Sequence, residues 1–326
     1  MSRIPCKSLL LASFALTLLF AGLTAAQALP TAGANRPAGV PEDYIVTPAG
    51  YFHPSCVAHL AEGDVLLKDE KAIQHKDGSF DAMHVCAYSH FKPSGEEVTG
   101  EEKPATAERS VKHPTIGHAW VEYASTTTGS SFGELGSNWY VPAAPSAHTG
   151  QTIYLFPGMQ DYADGVTIIQ PVLGWNSDYS NAWGIASWNC CVTGTVYEAA
   201  PQPVNVGDYI EGYMWDNCAS GTPTCSSWDI LTYDLTAGRY SELMSTSNFG
   251  QTFNWAFGGA LEVYNVSECS DYPPAGSFSF INLELYNDSF AEYSNPGWSY
   301  SNASAGLTPQ CGYGGTVSPA QVTLRY

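Results

Sequence analysis

Residues 152–190 read TIYLFPGMQDYADGVTIIQPVLGWNSDYSNAWGIASWNC. Three short apolar runs stand out: Thr152–Phe156, Val166–Val172 and Ala182–Trp188. Gly, Pro, Asn, Asp and Ser separate them, and no helical period persists for three turns. Short runs punctuated by turn residues are the pattern of strands. The same pattern extends outward to Ala119–Tyr123, Asn138–Val141, Tyr209–Met214, Trp228–Tyr233, Ala260–Val266, Phe278–Leu285 and Val322–Tyr326. Residues 113–326 therefore read as one all-β domain, an antiparallel β-sandwich or barrel long enough to bury a sizeable core.

The segment ahead of that domain differs in composition. The chain has 326 residues and a formal net charge of -19, with 12 Lys+Arg against 31 Asp+Glu. Ten of the basic residues lie within residues 1–112, and only Arg239 and Arg325 follow. All eight histidines lie at or before His148. The acidic balance argues against nucleic acid and against stable association with an anionic membrane, because phosphate recognition needs a basic face. Residues 149–326 offer neither His nor Lys, so chemistry placed there must use carboxylates, amides, hydroxyls, backbone or a bound metal. Few bases also means little positive self-repulsion once carboxylates neutralise, a composition suited to low pH.

Residues 1–28 read as a secretory signal. Arg3 and Lys7 precede the apolar run Leu9–Leu23, and Ala26-Gln27-Ala28 offers a small-residue cleavage site. A secreted, extracellular protein is the expectation. Eight cysteines remain: Cys56, Cys86, Cys190, Cys191, Cys218, Cys225, Cys269 and Cys311. An even number in an exported chain favours disulfides. Nearness in sequence suggests Cys56–Cys86 and Cys269–Cys311, with Cys190 and Cys191 sharing Cys218 and Cys225. Residues 29–50 read as a linker. Residues 51–112 read as a small disulfide-stapled module or pro-segment, ending in the charged stretch 93–112, the best site for processing. This segment holds every lysine that follows the signal, and it is placed to lie across an acidic groove.

Two runs set a polar group inside an apolar strand. Side chains alternate along a strand, so Ile168, Gln170 and Val172 share one face, as do Ala260, Glu262 and Tyr264. Apolar neighbours desolvate Glu262 and raise its pKa. On pattern alone, both also suit hydrogen-bonded sheet residues with no chemical role. Weaker groupings are a metal site on His53 and His59 or on His84 and His90, and a calcium loop on Asp161, Asp164 and Asp178. Surface histidines and solvated turn acids are the plainer readings of these.

Residues 117–285 resemble the glutamic peptidases, of both the eqolisin and the neprosin type. The resemblance runs in order through Gly117-His118-Ala119-Trp120-Val121, Trp139-Tyr140-Val141-Pro142, Tyr154–Gln160, Ile168-Ile169-Gln170, Val206-Gly207-Asp208 and Trp255–Glu262. Pro171 departs from the eqolisin pattern and implies an edge or bulge, because it donates no ladder hydrogen bond. Neprosins carry Glu where this chain has Gln170.

The resemblance implies a concanavalin A-like jelly roll and an acid-acting endopeptidase with a Gln170/Glu262 dyad. In that dyad Glu262 would activate water and Gln170 would stabilise the oxyanion. Trp183, Trp188 and Tyr264 would line a groove for an extended polypeptide. No cofactor and no metal are expected, and the protein is expected to be a monomer. The alternatives are a non-catalytic carbohydrate-binding sandwich, suggested by nine Trp and 20 Tyr, and a structural secreted protein.

Overall fold

The computed structural model describes residues 28–31, 36–67, 72–83, 85–98, 120–163, 167–191, 194–303 and 309–326. The expectations for the signal, most of stretch 93–112, His84, His118 and Asp164 lie outside these residues. The described residues contain strands and two short 3-10 turns but no α-helix. None of their helices is long and apolar enough to cross a membrane.

Two large sheets form the sandwich. One runs in the order Ser299–Asn302, Trp120–Thr127, Phe253–Tyr264, Thr152–Asp161, Ile168–Trp175, Trp183–Cys190, Val196–Ala199 and Val57–Leu60, with Gln202–Pro203 also paired to Trp183–Cys190. The other has ten strands, centred on Ser277–Asn287, Phe132–Tyr140, Tyr209–Asp216, Ser227–Asp234 and Arg239–Ser247. Between the sheets lies a core that includes Trp139, Leu155, Leu173, Trp175, Ile185, Leu261 and Phe280. Tyr209–Asp216 alternates half-buried and buried residues, as a strand with one wet face should.

The first sheet behaves differently. Every residue of Ile168–Trp175 and of Trp183–Cys190 is buried. A two-layer sandwich leaves one side of each sheet in water, so a third layer must cover this one. That layer is the N-terminal segment. Leu29, Val40, Tyr44, Val46, Tyr51 and Phe52 form a second core with Tyr154, Phe156, Val172, Trp188, Ala260 and Tyr264. The stretch read as a linker thus supplies the buried strand Ile45–Thr47, paired in a hairpin with Gly50–Phe52. The segment also extends both large sheets. Val57–Leu60 lies parallel to Val196–Ala199 at one edge, and Val65–Leu67 lies parallel to Arg239–Ser247 at the other.

All eight of these cysteines are paired. Cys56–Cys86 and Cys269–Cys311 form as expected. The inner four correct the expectation: Cys190 bonds its neighbour Cys191, and Cys218 bonds Cys225. Cys218 and Cys225 share a short loop that brings them together without reaching the Cys190 strand.

The Gly258-Gly259 pair has a steric cause. A Cβ on Gly259 would meet the Phe280 ring at 2.2 Å, because the two sheets approach closely there. Gly259→Ala is expected to cost about 1–3 kcal/mol through overpacking. A fall in thermal midpoint with unchanged disulfides checks this.

Candidate functional site

Glu262 and Gln170 lie on the same face of the first sheet, the face beneath the N-terminal segment. Strand Thr152–Asp161 separates their two strands. Register sets Glu262 beside Tyr154 and Tyr154 beside Gly174, so Gln170 lies one strand further on and four residues along. The ladder to Gln170's strand stops at Leu155–Leu173 and resumes at Met159–Ile169. Pro157 and Pro171 sit in that gap, where neither has an N–H to give. The break anticipated at Pro171 therefore occurs inside the sheet rather than at its edge.

Glu262 is fully buried, and burial raises its pKa to about 8. Hydrogen bonds from the Tyr264 and Trp120 side chains oppose that rise. The Tyr264 phenol lies 2.5 Å from Glu262 Oε1 and 3.0 Å from the Thr47 carbonyl oxygen. One hydroxyl proton cannot serve both acceptors. The phenol donates to ionised Glu262 Oε1; where the carboxyl carries its own proton, the carboxyl donates to the phenol oxygen and the phenol donates to Thr47. Glu262 Oε2 has no hydrogen-bond partner.

Gln170 is equally buried. Its Nε2 donates to the Pro48 carbonyl at 3.1 Å, while Oε1 is unpartnered. Tyr154 donates to the Val46 carbonyl at 3.3 Å, and its oxygen lies 3.2 Å from Ser177 Oγ. Three consecutive carbonyls, those of Val46, Thr47 and Pro48, thus meet three side chains of this face. Gln170 and Glu262 share no hydrogen bond; the N-terminal segment spans the distance between them.

The expected groove residues divide. Trp188 and Tyr264 lie on this face, in the second core. Trp183 does not: it packs against Trp175 between the two sheets. Alternation explains the correction, since Trp183 and Trp188 are five residues apart on one strand and must point to opposite faces.

Sequence reasoning passed over Tyr154, although its place two residues before Phe156 sets both on one face. It also passed over the pairing of Asp178 with Glu198. These acids are buried near each other, and desolvation pushes Glu198 up to about 7 and, with the Glu198 charge, Asp178 well above its usual range. His59 Nδ1 lies 2.6 Å from Glu198 Oε2.

Among the described residues, the metal groupings do not come together. His53 contacts Ser55 and stacks on Tyr88, away from His59. Asp161 caps backbone N–H groups at the end of its strand, whereas Asp178 sits in the turn after Trp175. Among the described residues, the one cluster with metal-ligand proximity is Asp216, Cys218 and Cys225, and its two thiols are joined as a disulfide.

No family model and no curated protein matches this chain. Among solved structures, it is similar to scytalido-glutamic peptidase with a peptide-based transition state analog. That match has 15% identity, a TM-score of 0.47, and coverage of 64% of this chain and 98% of the other. A second is SCP-B, of the eqolisin family of peptidases, in complex with the tripeptide Ala-Ile-His. It has 15% identity, a TM-score of 0.44 and the same coverage. At that identity no residue's role is carried across, and the functional reading rests on this chain's own geometry.

Proposed function

We propose that this protein is a secreted, acid-acting endopeptidase in which Glu262 and Gln170 form the catalytic pair and the N-terminal segment is a pro-segment. One observation carries the reading. The peptide between Thr47 and Pro48 lies on the face so that one carbonyl meets Gln170 and the adjacent carbonyl meets the phenol bonded to Glu262. A buried amide donor and, through a phenol, a buried carboxyl are thus brought within one peptide unit of each other along a bound chain.

Once the segment leaves, Glu262 is hydrated and its pKa falls toward the ordinary carboxylate range. Ionised Glu262 takes a proton from water, and the water oxygen attacks the scissile carbonyl carbon. Gln170 Nε2 donates to the oxyanion that develops. The carboxyl then returns its proton to the leaving amine as the C–N bond breaks. No His, Lys or free thiol takes part in these steps. Trp188 and Tyr264 provide apolar walls for the substrate.

The carbohydrate-binding alternative drew its support from aromatics. Of the nine tryptophans, eight are buried and Trp215 is half-buried, so no exposed tryptophan row offers a stacking platform.

The test is hydrolysis of denatured casein between pH 3 and pH 5 by the purified secreted chain, with release of residues 29–112 followed by mass. Absence of hydrolysis after the segment has been lost would refute the proposal.

A further inference from the structure

We infer that Tyr154 is a substrate-positioning residue that binds a polypeptide by its main chain, two carbonyls N-terminal to the one held by Gln170. The inference rests on the peptidase reading and deepens it.

The Tyr154 ring is completely buried in the second core, edge-on to the Tyr264 ring at 6.1 Å. Its hydroxyl has two neighbours, Ser177 Oγ at 3.2 Å and the Val46 carbonyl at 3.3 Å. A phenol has one proton to give. A carbonyl cannot donate, so the order of donation is Ser177 to Tyr154 to Val46. On the other phenol, while Glu262 carries its proton, the order is Glu262 to Tyr264 to Thr47. Each phenol is therefore oriented from behind by a group of the sheet and presents its proton outward to main chain.

Both outward acceptors belong to the N-terminal segment, as does the acceptor of Gln170. When that segment departs, two phenols and one amide exchange these main-chain acceptors for water. A second polypeptide on the same path restores all three bonds. None of the three contacts reads a side chain. Affinity at these positions is therefore set by the ability of the bound chain to follow the path of Val46-Thr47-Pro48, not by residue identity.

The experiment uses the full chain, wild type and Tyr154→Phe, incubated in acid until processed. Each is assayed on one peptide and on a set of esters in which single backbone amides are replaced, weakening single carbonyl acceptors. Tyr154→Phe is expected to raise KM about five- to tenfold and leave kcat within about twofold, the signature of lost uniform binding. The ester two carbonyls before the scissile one should cost wild type the same factor and cost Tyr154→Phe nothing. A merely structural role for Tyr154 would lower the melting temperature of the variant without that coupling.

An unchanged KM in Tyr154→Phe, or equal ester penalties in the two proteins, overturns the inference while the peptidase reading stands. A wild type that cleaves neither peptide nor ester overturns the peptidase reading, and the inference with it. Ser177→Ala, which leaves the Tyr154 ring in place, should give a smaller rise in KM of the same kind.

Discussion

Glu262→Gln should abolish proteolysis, lowering kcat/KM by about a thousandfold or more, because the amide cannot take or return a proton. The substitution keeps the shape of the side chain and preserves a donor to the Tyr264 oxygen, so the fold should survive. Gln170→Ala should lower kcat by about a hundred- to a thousandfold, the usual cost of removing one oxyanion donor. The two groups act in one step, so the double variant should be little worse than Glu262→Gln alone. The assay is casein hydrolysis at pH 3–5, with a thermal melt run beside it. Wild-type rates in either single variant would remove that residue from the mechanism.

A second large effect concerns how acid loosens the N-terminal segment. His90 is half-buried against Phe52, with rings stacked at 4.6 Å. Desolvation, helped by Lys92, lowers its pKa to about 4. A base with a depressed pKa stabilises the closed form above its free value of 6.5, and that contribution is lost as pH falls toward 4. His59 is lowered too, by desolvation and against Asp178, but its side chain is 55% exposed and its contribution is small. Glu262 has the opposite sign. Its pKa rises to about 8 in the closed form, so its contribution is complete below about 4.5 and is lost as pH rises through 8.

The two effects oppose each other between pH 7 and pH 4.5, each worth about 3 kcal/mol. Hydrogen exchange of residues 44–52 separates them. Wild type should change little across the window. Glu262→Gln lacks the carboxyl contribution and should loosen steadily on acidification. His90→Phe lacks the imidazole contribution and should tighten. Parallel curves for the two variants would show that neither group governs closure.

Much of the sandwich was legible in the runs themselves. Thr152–Phe156, Val166–Val172 and Ala182–Trp188 fall within or beside Thr152–Asp161, Ile168–Trp175 and Trp183–Cys190. Alternation also placed Gln170 with Val172, and Glu262 with Ala260 and Tyr264, on their proper faces. Applied to Trp183 and Trp188, the same rule would have separated them.

The inner disulfides were obscured because nearness was used for the outer four cysteines and not carried through to the adjacent pair. The cover over the site was illegible for a deeper reason. Its contacts with Gln170, Tyr154 and Tyr264 run through backbone carbonyls, which every residue possesses. No composition or spacing distinguishes Val46-Thr47-Pro48 as their owner.

The N-terminal segment adds one strand to an edge of one large sheet and three to an edge of the other, while its hairpin fills the face between. While the chain is continuous, all three attachments are intramolecular, and a detached one re-forms at the high effective concentration set by its tether. A single cut between residues 99 and 119 leaves those contacts unchanged on the day it is made but turns their re-formation into a bimolecular event. The latch is then governed by dilution. A cleaved protein keeps its cover in a concentrated compartment and loses it on release into a large volume.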